Sequence, residues 1–250
     1  MLPNAAVSPG PARRPTRGDF TAGPPTDAVN SSEVRREWAE RTGEYSPRYY
    51  AYYGPDDRSE RIRERLDDAV GPDASVLELG CSSGRHLAHL HDHGYRDLHG
   101  IEINEEAFDV MAEEYPDLAD DGTFHEGAIQ DVLTGFPDDR FDAVYSVETL
   151  QHLHHDDERA FAEVARIAAD ELLTVELEEA VADEGAADEA PASDGEREPS
   201  DGPDAVNYVH GEFPLYYRDW GAVFSALGWT QVEAVPLDRT TLREFRPASA

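Results

Sequence analysis

The sequence predicts an α/β fold in which a mostly parallel sheet is covered by helices on both faces. Short apolar runs alternate with segments of helical periodicity from residue 58 onwards, which is typical of such sheets. The run Ser75–Glu78 passes through Gly80 and Gly84 into a helix, and a second run, Leu98–Glu102, ends in a carboxylate. A glycine turn followed by an acid about twenty residues later is typical of a Rossmann-like, doubly wound sheet that binds a nucleotide.

The segment before the first strand divides into a tail and a cover. Residues 1–32 are rich in Pro, Gly, Ala and Arg without periodicity, so we predict a disordered tail. Residues 33–57 are predicted to form a lid segment that begins with a short helix over Glu33–Arg41. The tyrosine-rich stretch Tyr45–Tyr53 either packs against the edge of the domain or closes over a ligand. An amphipathic helix over Arg58–Val70 leads into the sheet.

Helices and strands then alternate along the chain. The predicted elements after the glycine turn are helix His86–His91, helix Glu105–Tyr115 with an Asn104 cap, strand Thr123–Glu126, strand Phe141–Val147, helix Glu158–Ala168 and strand Leu172–Leu177. The strands should therefore be parallel, with helices on both faces.

The last part of the chain contains an acidic interruption and then returns to a folded pattern. Residues at about 178–204 lack large apolar side chains and are predicted to be a disordered insertion within one domain, 58–250. A helix over Asp219–Leu227 and two closing strands, Thr230–Val235 and Thr241–Phe245, follow.

The charge of the chain excludes several partners. Its 54 acidic and 21 basic residues give a formal net charge of −33, which argues against nucleic acid or an anionic membrane as partner. All the basic residues are arginines. The absence of lysine excludes a P-loop, a Schiff-base lysine and a tyrosine-lysine dehydrogenase pair. This composition predicts a halophilic protein; a merely acidic mesophilic protein is the alternative.

The compartment is predicted from cysteine use and hydropathy. Cys81 is the single cysteine of the chain, which precludes an internal disulfide and suits a reducing compartment. The sequence has no apolar run long enough to span a bilayer and no apolar signal core at its N-terminus. We therefore predict a soluble, cytoplasmic protein.

The glycine turn also carries a family resemblance. The motif Glu78-Leu-Gly-Cys-Ser-Ser-Gly84 resembles that of class I methyltransferases, which use S-adenosylmethionine (SAM) and carry an acid two positions before the first glycine. The chain departs from the pattern at Ser82, where the family often has glycine. The resemblance covers about residues 58–250 and implies the class I methyltransferase fold, with antiparallel strands at its end. It also implies SAM as cofactor and methyl transfer to a small-molecule acceptor.

The residues near the glycine turn receive cofactor roles. Gly80 should permit the sharp turn, and Gly84 should let a ligand approach the backbone. Glu102 belongs where a carboxylate accepts the two ribose hydroxyls. By resemblance, Glu78 interacts with the amino end of the cofactor, and Cys81 and Ser82 line the loop.

The resemblance further assigns an adenine pocket. Ile103 offers an apolar face to the base, and Ala128, Ile129 and Gln130 flank it after the third strand. Because the family often has an acid where Ala128 stands, Asp131 is the alternative polar contact.

The loop after the fourth strand should face the transferred methyl group, since ligands lie at the carboxyl ends of parallel strands. Ser146 and Glu148 are predicted cofactor or substrate contacts. His152 or His155 could act as general base for a hydroxyl acceptor, because imidazole titrates near neutral pH. Alternatively, His152 only packs or caps the loop.

A metal site is the weaker reading of the histidine-rich helix. His86, His89, His91 and His93 lie close together, and His89 and His93 share a helix face. The sequence spacing supplies no carboxylate or cysteine to complete a ligand set, so we predict no metal and interpret these residues as polar surface.

Two other functions compete with methyl transfer. A nicotinamide dehydrogenase shares the glycine turn and the ribose acid, but the chain shows no hydride-transfer residues. A non-catalytic SAM-binding protein would also fit, because methyl transfer requires no particular catalytic side chain. If the chain is an enzyme, acceptor choice should depend on the tyrosine-rich segment, the loop at His152 and the region Tyr208–Arg218. The oligomeric state is not predicted.

Overall fold

The computed structural model of the chain describes residues 20–21, 30–178, 206–209 and 213–248. The predicted tail, 1–32, and the predicted acidic insertion, at about 178–204, fall almost wholly outside these residues. The division of the chain into tail, lid and domain therefore stays a prediction.

The described residues contain strands and helices in an alternating order. The strands are β1 Phe20–Thr21, β2 Ser75–Leu79, β3 Asp97–Glu102, β4 Thr123–Glu126, β5 Phe141–Val147, β6 Ala168–Glu176, β7 Val206–Val209, β8 Phe213–Tyr216, β9 Trp229–Pro236 and β10 Thr241–Pro247. The helices are α1 Ser31–Ala39, α2 Pro47–Tyr53, α3 Asp57–Ala69, α4 Arg85–Asp92, α5 Glu106–Glu114, α6 Pro116–Asp121, α7 Ile129–Val132, α8 Arg159–Ile167 and α9 Trp220–Ala226.

Seven strands form one mixed sheet in the order β4-β3-β2-β5-β6-β10-β9. The pairs between β4, β3, β2, β5 and β6 are parallel, and β10 pairs antiparallel with both β6 and β9. This arrangement confirms the predicted fold class. A small antiparallel sheet, β1-β7-β8, was not predicted.

The core lies on both faces of the sheet because alternate side chains of buried strands point to opposite sides. On β2, Leu77 packs on one face in a cluster with Phe161 and Trp220. Its neighbour Val76 packs on the other face with Ile62 of α3. All five residues of β2 are buried, as expected for a central parallel strand.

The tyrosine-rich segment contains a helix that the sequence analysis did not assign. The Ser46 hydroxyl accepts a hydrogen bond from the Tyr49 N–H at 3.4 Å, and Pro47 occupies the first turn of α2. A serine followed by a proline is a common helix start, but the sequence analysis considered only the tyrosines of this segment. Helices α6 and α7 were also not predicted, and both are short.

The lid segment is attached to the end of the sheet. The side-chain amide of Asn104 donates hydrogen bonds to the carbonyls of Arg41, at 3.0 Å, and Trp38, at 3.4 Å. Asn104 Oδ1 also accepts from the Glu106 N–H at 3.1 Å, so it caps α5 as predicted. The end of α1 therefore lies over the carboxyl end of β3. Within the described ranges, no helix combines the length and apolar character needed to cross a bilayer.

Candidate functional site

A deep cleft lies at the carboxyl ends of β2, β3 and β5, and α1 and α2 form its cover. Its empty volume, open solvent included, is about 1100 Å³. The walls come from the glycine turn, the residues after β3, the residues after β4 and the loop after β5. A cleft at this edge is the expected ligand position in an open α/β sheet.

The two predicted glycines have different functions. Gly80 lines the cleft with a φ of +68°, and a Cβ there would stand 2.5 Å from the Thr149 side chain. Gly84 also has a positive φ, but it does not line the cleft. A Cβ on Gly84 would lie 2.8 Å from Met111 Cε and 2.9 Å from Leu118 Cδ2. The expectation that Gly84 makes room for a ligand is therefore corrected. The lack of a side chain at Gly84 makes room for Met111 of α5 and Leu118 of α6.

Glu102 ends β3 with its carboxylate fixed by backbone amides. Its Oε2 accepts from the Ser82 N–H at 2.9 Å. Its Oε1 accepts from the N–H groups of Ile103, at 2.7 Å, and Asn104, at 2.9 Å. Burial raises the pKa of Glu102 above its usual range, while these three donors favour the charged form. The carboxylate lines the cleft in a fixed orientation and retains lone pairs for a further donor.

Glu78 lies beneath the glycine turn and is almost fully buried. The Tyr145 hydroxyl donates to its Oε2 at 3.0 Å. Burial raises the pKa of Glu78 to about 8, and the Tyr145 hydrogen bond opposes that shift. Cys81 and Ser82 line the cleft beside it, and burial raises the pKa of the Cys81 thiol. The thiol is therefore not a reactive nucleophile.

The predicted adenine residues form one wall. Ile103, Ala128, Ile129 and Gln130 all line the cleft. Gln130 Nε2 donates to Asp157 Oδ2 at 3.1 Å. Asp131 is outside the lining, with its carboxylate 3.5 Å from Arg35.

The loop after β5 is anchored by Glu176, which the sequence analysis missed. Ser146, a predicted contact, does not line the cleft; its hydroxyl donates to Glu176 Oε1 at 2.8 Å. The same oxygen accepts from the N–H groups of Thr149 and Leu150, each at 3.1 Å. Glu176 Oε2 accepts from the Gln151 N–H at 3.3 Å. Sequence alone gave no pointer to this role, because Glu176 lies about 25 residues beyond the loop that it holds.

Glu148 lines the cleft and is paired with two arginines that are distant in sequence. Its Oε2 lies 2.9 Å from Arg58 Nη1, and its Oε1 lies 2.6 Å from Arg239 Nη2. Although burial raises its pKa, these guanidinium groups lower the pKa of Glu148 overall. The Glu148 carboxylate is therefore charged, and both of its oxygens form ion pairs.

The two predicted catalytic histidines occupy different places. His152 lines the cleft, and its Nδ1–H donates to the Pro214 carbonyl at 3.1 Å. Burial lowers the pKa of His152 to about 4. His155 is outside the lining and contacts Glu158 Oε1 at 3.0 Å, so the structure does not bring it to the cleft. His154, which sequence reasoning did not select, does line it.

Two residues of the tyrosine-rich segment face the cleft, and a third is exposed. Tyr45 and Tyr50 line the cleft, together with Trp38 of α1. The Arg85 guanidinium lies 5.2 Å from the Tyr50 ring centroid, which is within the range of a cation-π contact. Tyr52 lies outside and is 66% exposed.

The histidine-rich helix separates into different environments. His86 is buried, with Nδ1 2.7 Å from the Ser59 hydroxyl, and burial lowers its pKa. His91 Nε2 lies 3.0 Å from Asp121 Oδ2. His89 and His93 instead lie close to Glu60 of the neighbouring helix α3, with one ligand atom of each residue within 4.8 Å of the others. The sequence spacing did not predict this carboxylate.

Comparisons with known proteins match part of this chain to a known domain. Residues 76–171 match the family model described as a methyltransferase domain. No curated protein matches the chain.

Solved structures with similar folds cover nearly the whole chain. The 1,6-didemethyltoxoflavin-N1-methyltransferase of Burkholderia thailandensis, solved with S-adenosylhomocysteine, aligns with a TM-score of 0.61 at 15% identity, over 92% of this chain and 94% of that one. The CcbJ methyltransferase of Streptomyces caelestis aligns with a TM-score of 0.57 at 18% identity, over 86% and 96%. The magnesium protoporphyrin IX methyltransferase of Synechocystis, solved with SAM, gives 0.53 at 14% identity, over 88% and 93%. At these identities the likeness establishes the fold alone.

Proposed function

We propose that this chain transfers a methyl group from SAM to a small-molecule acceptor, and the match of residues 76–171 to the family model described as a methyltransferase domain supports this. One observation carries the proposal. The Glu102 carboxylate is fixed by the amides of Ser82, Ile103 and Asn104 at the end of β3, beside the glycine turn. That is the position from which an acid binds ribose hydroxyls.

The side chains of the cleft divide into parts that fit the parts of the cofactor. Glu102 accepts the ribose hydroxyls, and Ile103 and Ile129 offer apolar contact to adenine. The backbone at Gly80, with Glu78 beneath it, faces the amino acid end. SAM supplies an electrophilic methyl group on a sulfonium centre. The task of the protein is then to hold two reacting atoms close together and aligned, and to exclude water.

A small acceptor is supported by the cover over the cleft. Trp38, Tyr45 and Tyr50 line its mouth, and they favour a compact molecule with an apolar or aromatic part. The formal net charge of −33 opposes binding of nucleic acid. The acceptor would then lie near the Trp38 and His152 rings, whose centroids are 4.6 Å apart where the lid segment, residues 33–57, meets the loop at His152.

We assign His152 a positioning role rather than proton uptake. Its Nδ1–H donates to the Pro214 carbonyl, so the lone pair of the neutral ring is on Nε2. Since burial lowers the pKa of His152 to about 4, the ring stays neutral at physiological pH. Nε2 lies 3.4 Å from the side-chain amide of Gln151, and the hydroxyl or amine of a methyl acceptor would replace that contact to be oriented by the ring. His155 has no part in this proposal.

The working environment is proposed from composition. An acidic surface without lysine supports a protein that works at high salt in the cytoplasm. Unfolding measured against KCl concentration tests this, because equal stability in dilute buffer and in molar salt would contradict a halophilic origin.

Calorimetric titration in molar KCl with SAM, S-adenosylhomocysteine and NAD tests the cofactor. We expect micromolar binding of the first two and no binding of NAD. Binding of NAD alone would favour a dehydrogenase and overturn the proposal. A second assay follows methyl transfer from labelled SAM to a panel of small metabolites. SAM binding without turnover on any acceptor would favour a non-catalytic SAM-binding protein.

A further inference from the structure

Glu60, His89 and His93 bring three metal-ligating groups together outside the cleft. One donor atom from each residue lies within 4.8 Å of the others. Glu60 belongs to α3, His89 to α4, and His93 follows α4 as its cap. We propose that these residues form a zinc-binding site that joins α3 to α4. The proposal is independent of the methyl-transfer function.

The two histidines have the spacing of a helical chelate. Residues four apart lie on the same helix face, and the ring centroids of His89 and His93 are 4.4 Å apart. The two imidazoles therefore lie side by side on one face of the helix end. Two imidazoles and a carboxylate, with water in the fourth place, form a common tetrahedral zinc set.

The tautomer of His93 is already that of a ligand. Its Nδ1 lies 2.7 Å from the His89 carbonyl oxygen, which accepts only a hydrogen bond, so Nδ1 carries the proton. Nε2 is then the nitrogen with the free lone pair. A backbone carbonyl that fixes the far nitrogen of a histidine is the usual support for a metal ligand.

Glu60 is held ready by a neighbouring arginine. Its Oε2 lies 2.8 Å from His89 Nε2 and accepts a hydrogen bond from Arg63 Nε at 3.0 Å, and its Oε1 accepts one from Arg63 Nη2 at 2.7 Å. Two ligand atoms of a tetrahedral zinc ion are about 3.3 Å apart, given metal–ligand bonds near 2.0 Å, so the His89–Glu60 pair must open by roughly half an ångström. Oε2 binds the ion through a lone pair that Arg63 Nε does not use, while the hydrogen bonds from Arg63 to both oxygens orient the carboxylate.

The two imidazoles favour zinc over cations such as magnesium, which an acidic surface also attracts. Magnesium requires oxygen ligands, and two of the three groups here are imidazoles. The carboxylate comes from one helix and the imidazoles from the other. Bound zinc should therefore stabilise the packing of α3 on α4 and raise the melting temperature.

The test is calorimetric titration of the full chain with Zn²⁺ at pH 8 in molar KCl, with melting temperatures measured in parallel. We expect one equivalent of zinc with micromolar affinity, no comparable binding of Mg²⁺, and a higher melting temperature with zinc. His89→Ala and His93→Ala should each weaken zinc binding about tenfold or more, because each removes one ligand.

His91→Ala is the matched control. His91 lies on α4 and pairs with one carboxylate, Asp121, but is not part of the three-ligand group. This variant should bind zinc as the parent protein does. Unchanged zinc affinity in His93→Ala, equal binding of Mg²⁺, or no zinc binding at all would each overturn the proposal. A circular dichroism spectrum of each variant separates loss of a ligand from loss of the fold.

Discussion

Strand β6 carries a buried glutamate toward each of its two ends, and the two are satisfied in different ways. Glu176, at the carboxyl end, accepts hydrogen bonds from the Ser146 hydroxyl and from three backbone N–H groups of the loop after β5. Glu171, toward the amino end, accepts one hydrogen bond from Arg246 at 3.2 Å. The other oxygen of Glu171, Oε1, is buried without a hydrogen-bond partner.

The difference shows that burial and a raised pKa do not by themselves identify a functional carboxylate. Burial raises the pKa of Glu176 to about 7 and that of Glu171 to about 8, with repulsion from Glu244 adding to the second shift. What distinguishes Glu176 is the identity of its donors, because they belong to the loop that forms the cleft wall. Glu171 is a buried carboxyl group, away from the cleft, whose hydrogen-bonding capacity is only partly satisfied.

The largest effect should follow from removal of Glu176. Glu176→Ala leaves a hydroxyl and three backbone N–H groups without their acceptor, so we expect a loss of about 3–5 kcal/mol in the free energy of unfolding. Urea denaturation in molar KCl measures it. Glu176→Gln is the matched control, because its Oε1 can still accept the three hydrogen bonds that this oxygen receives.

The glutamine variant should therefore be less destabilised than the alanine variant. If Glu176→Ala unfolds within about 1 kcal/mol of the parent protein, the loop does not depend on this carboxylate, and the contrast with Glu171 fails.

The next effect concerns the other carboxylate that backbone amides hold at the cleft. Glu102→Ala should cost about 2–3 kcal/mol of SAM binding, because hydrogen bonds from ribose to a charged acceptor are lost. Calorimetric titration with SAM measures it. Glu126→Ala is the control, since Glu126 is exposed and lies beside Glu102 in the register of β3 with β4. Equal SAM affinity in Glu102→Ala and the parent protein would mean that another residue binds the ribose.

The smallest effect is a change in pH dependence at Glu171. Because its pKa is raised from about 4.5 to about 8, the unfolded chain releases this proton at lower pH than the folded chain does. This carboxyl therefore lowers stability as pH rises from 4.5 to 8. Glu171→Gln removes that contribution. Between pH 5 and pH 8 the free energy of unfolding should therefore fall by about 1–2 kcal/mol less in the variant than in the parent protein.

Urea denaturation at several pH values measures this difference. Asp170→Asn provides the comparison, because Asp170 is the adjacent residue and is exposed. Identical pH profiles for Glu171→Gln and the parent protein would show that the Glu171 carboxyl titrates normally.

Sequence reasoning was most successful where neighbouring residues determine the structure. The strands Thr123–Glu126 and Phe141–Val147 have the predicted bounds. For Phe141–Val147 the reason is that a buried run between turn residues specifies a parallel strand. The position of Glu102 also followed, because an acid at the end of β3 must lie beside the turn after β2. For Gly84 the sequence predicted that the lack of a side chain makes room for a ligand. In the structure that space is filled by Met111 and Leu118, which only the packing of the helices reveals.

The sequence by itself determined the alternation of strands and helices, the glycine turn and the acid that faces it, because these depend on local periodicity and on short spacing. Only the tertiary structure decided that Glu176 holds the cleft loop, that His152 but not His155 reaches the cleft, and that Glu60 joins His89 and His93. Each of these contacts joins residues far apart in the chain or depends on which way a loop turns. Their side chains come into contact only after the sheet and helices have packed, so no local sequence pattern predicts these contacts.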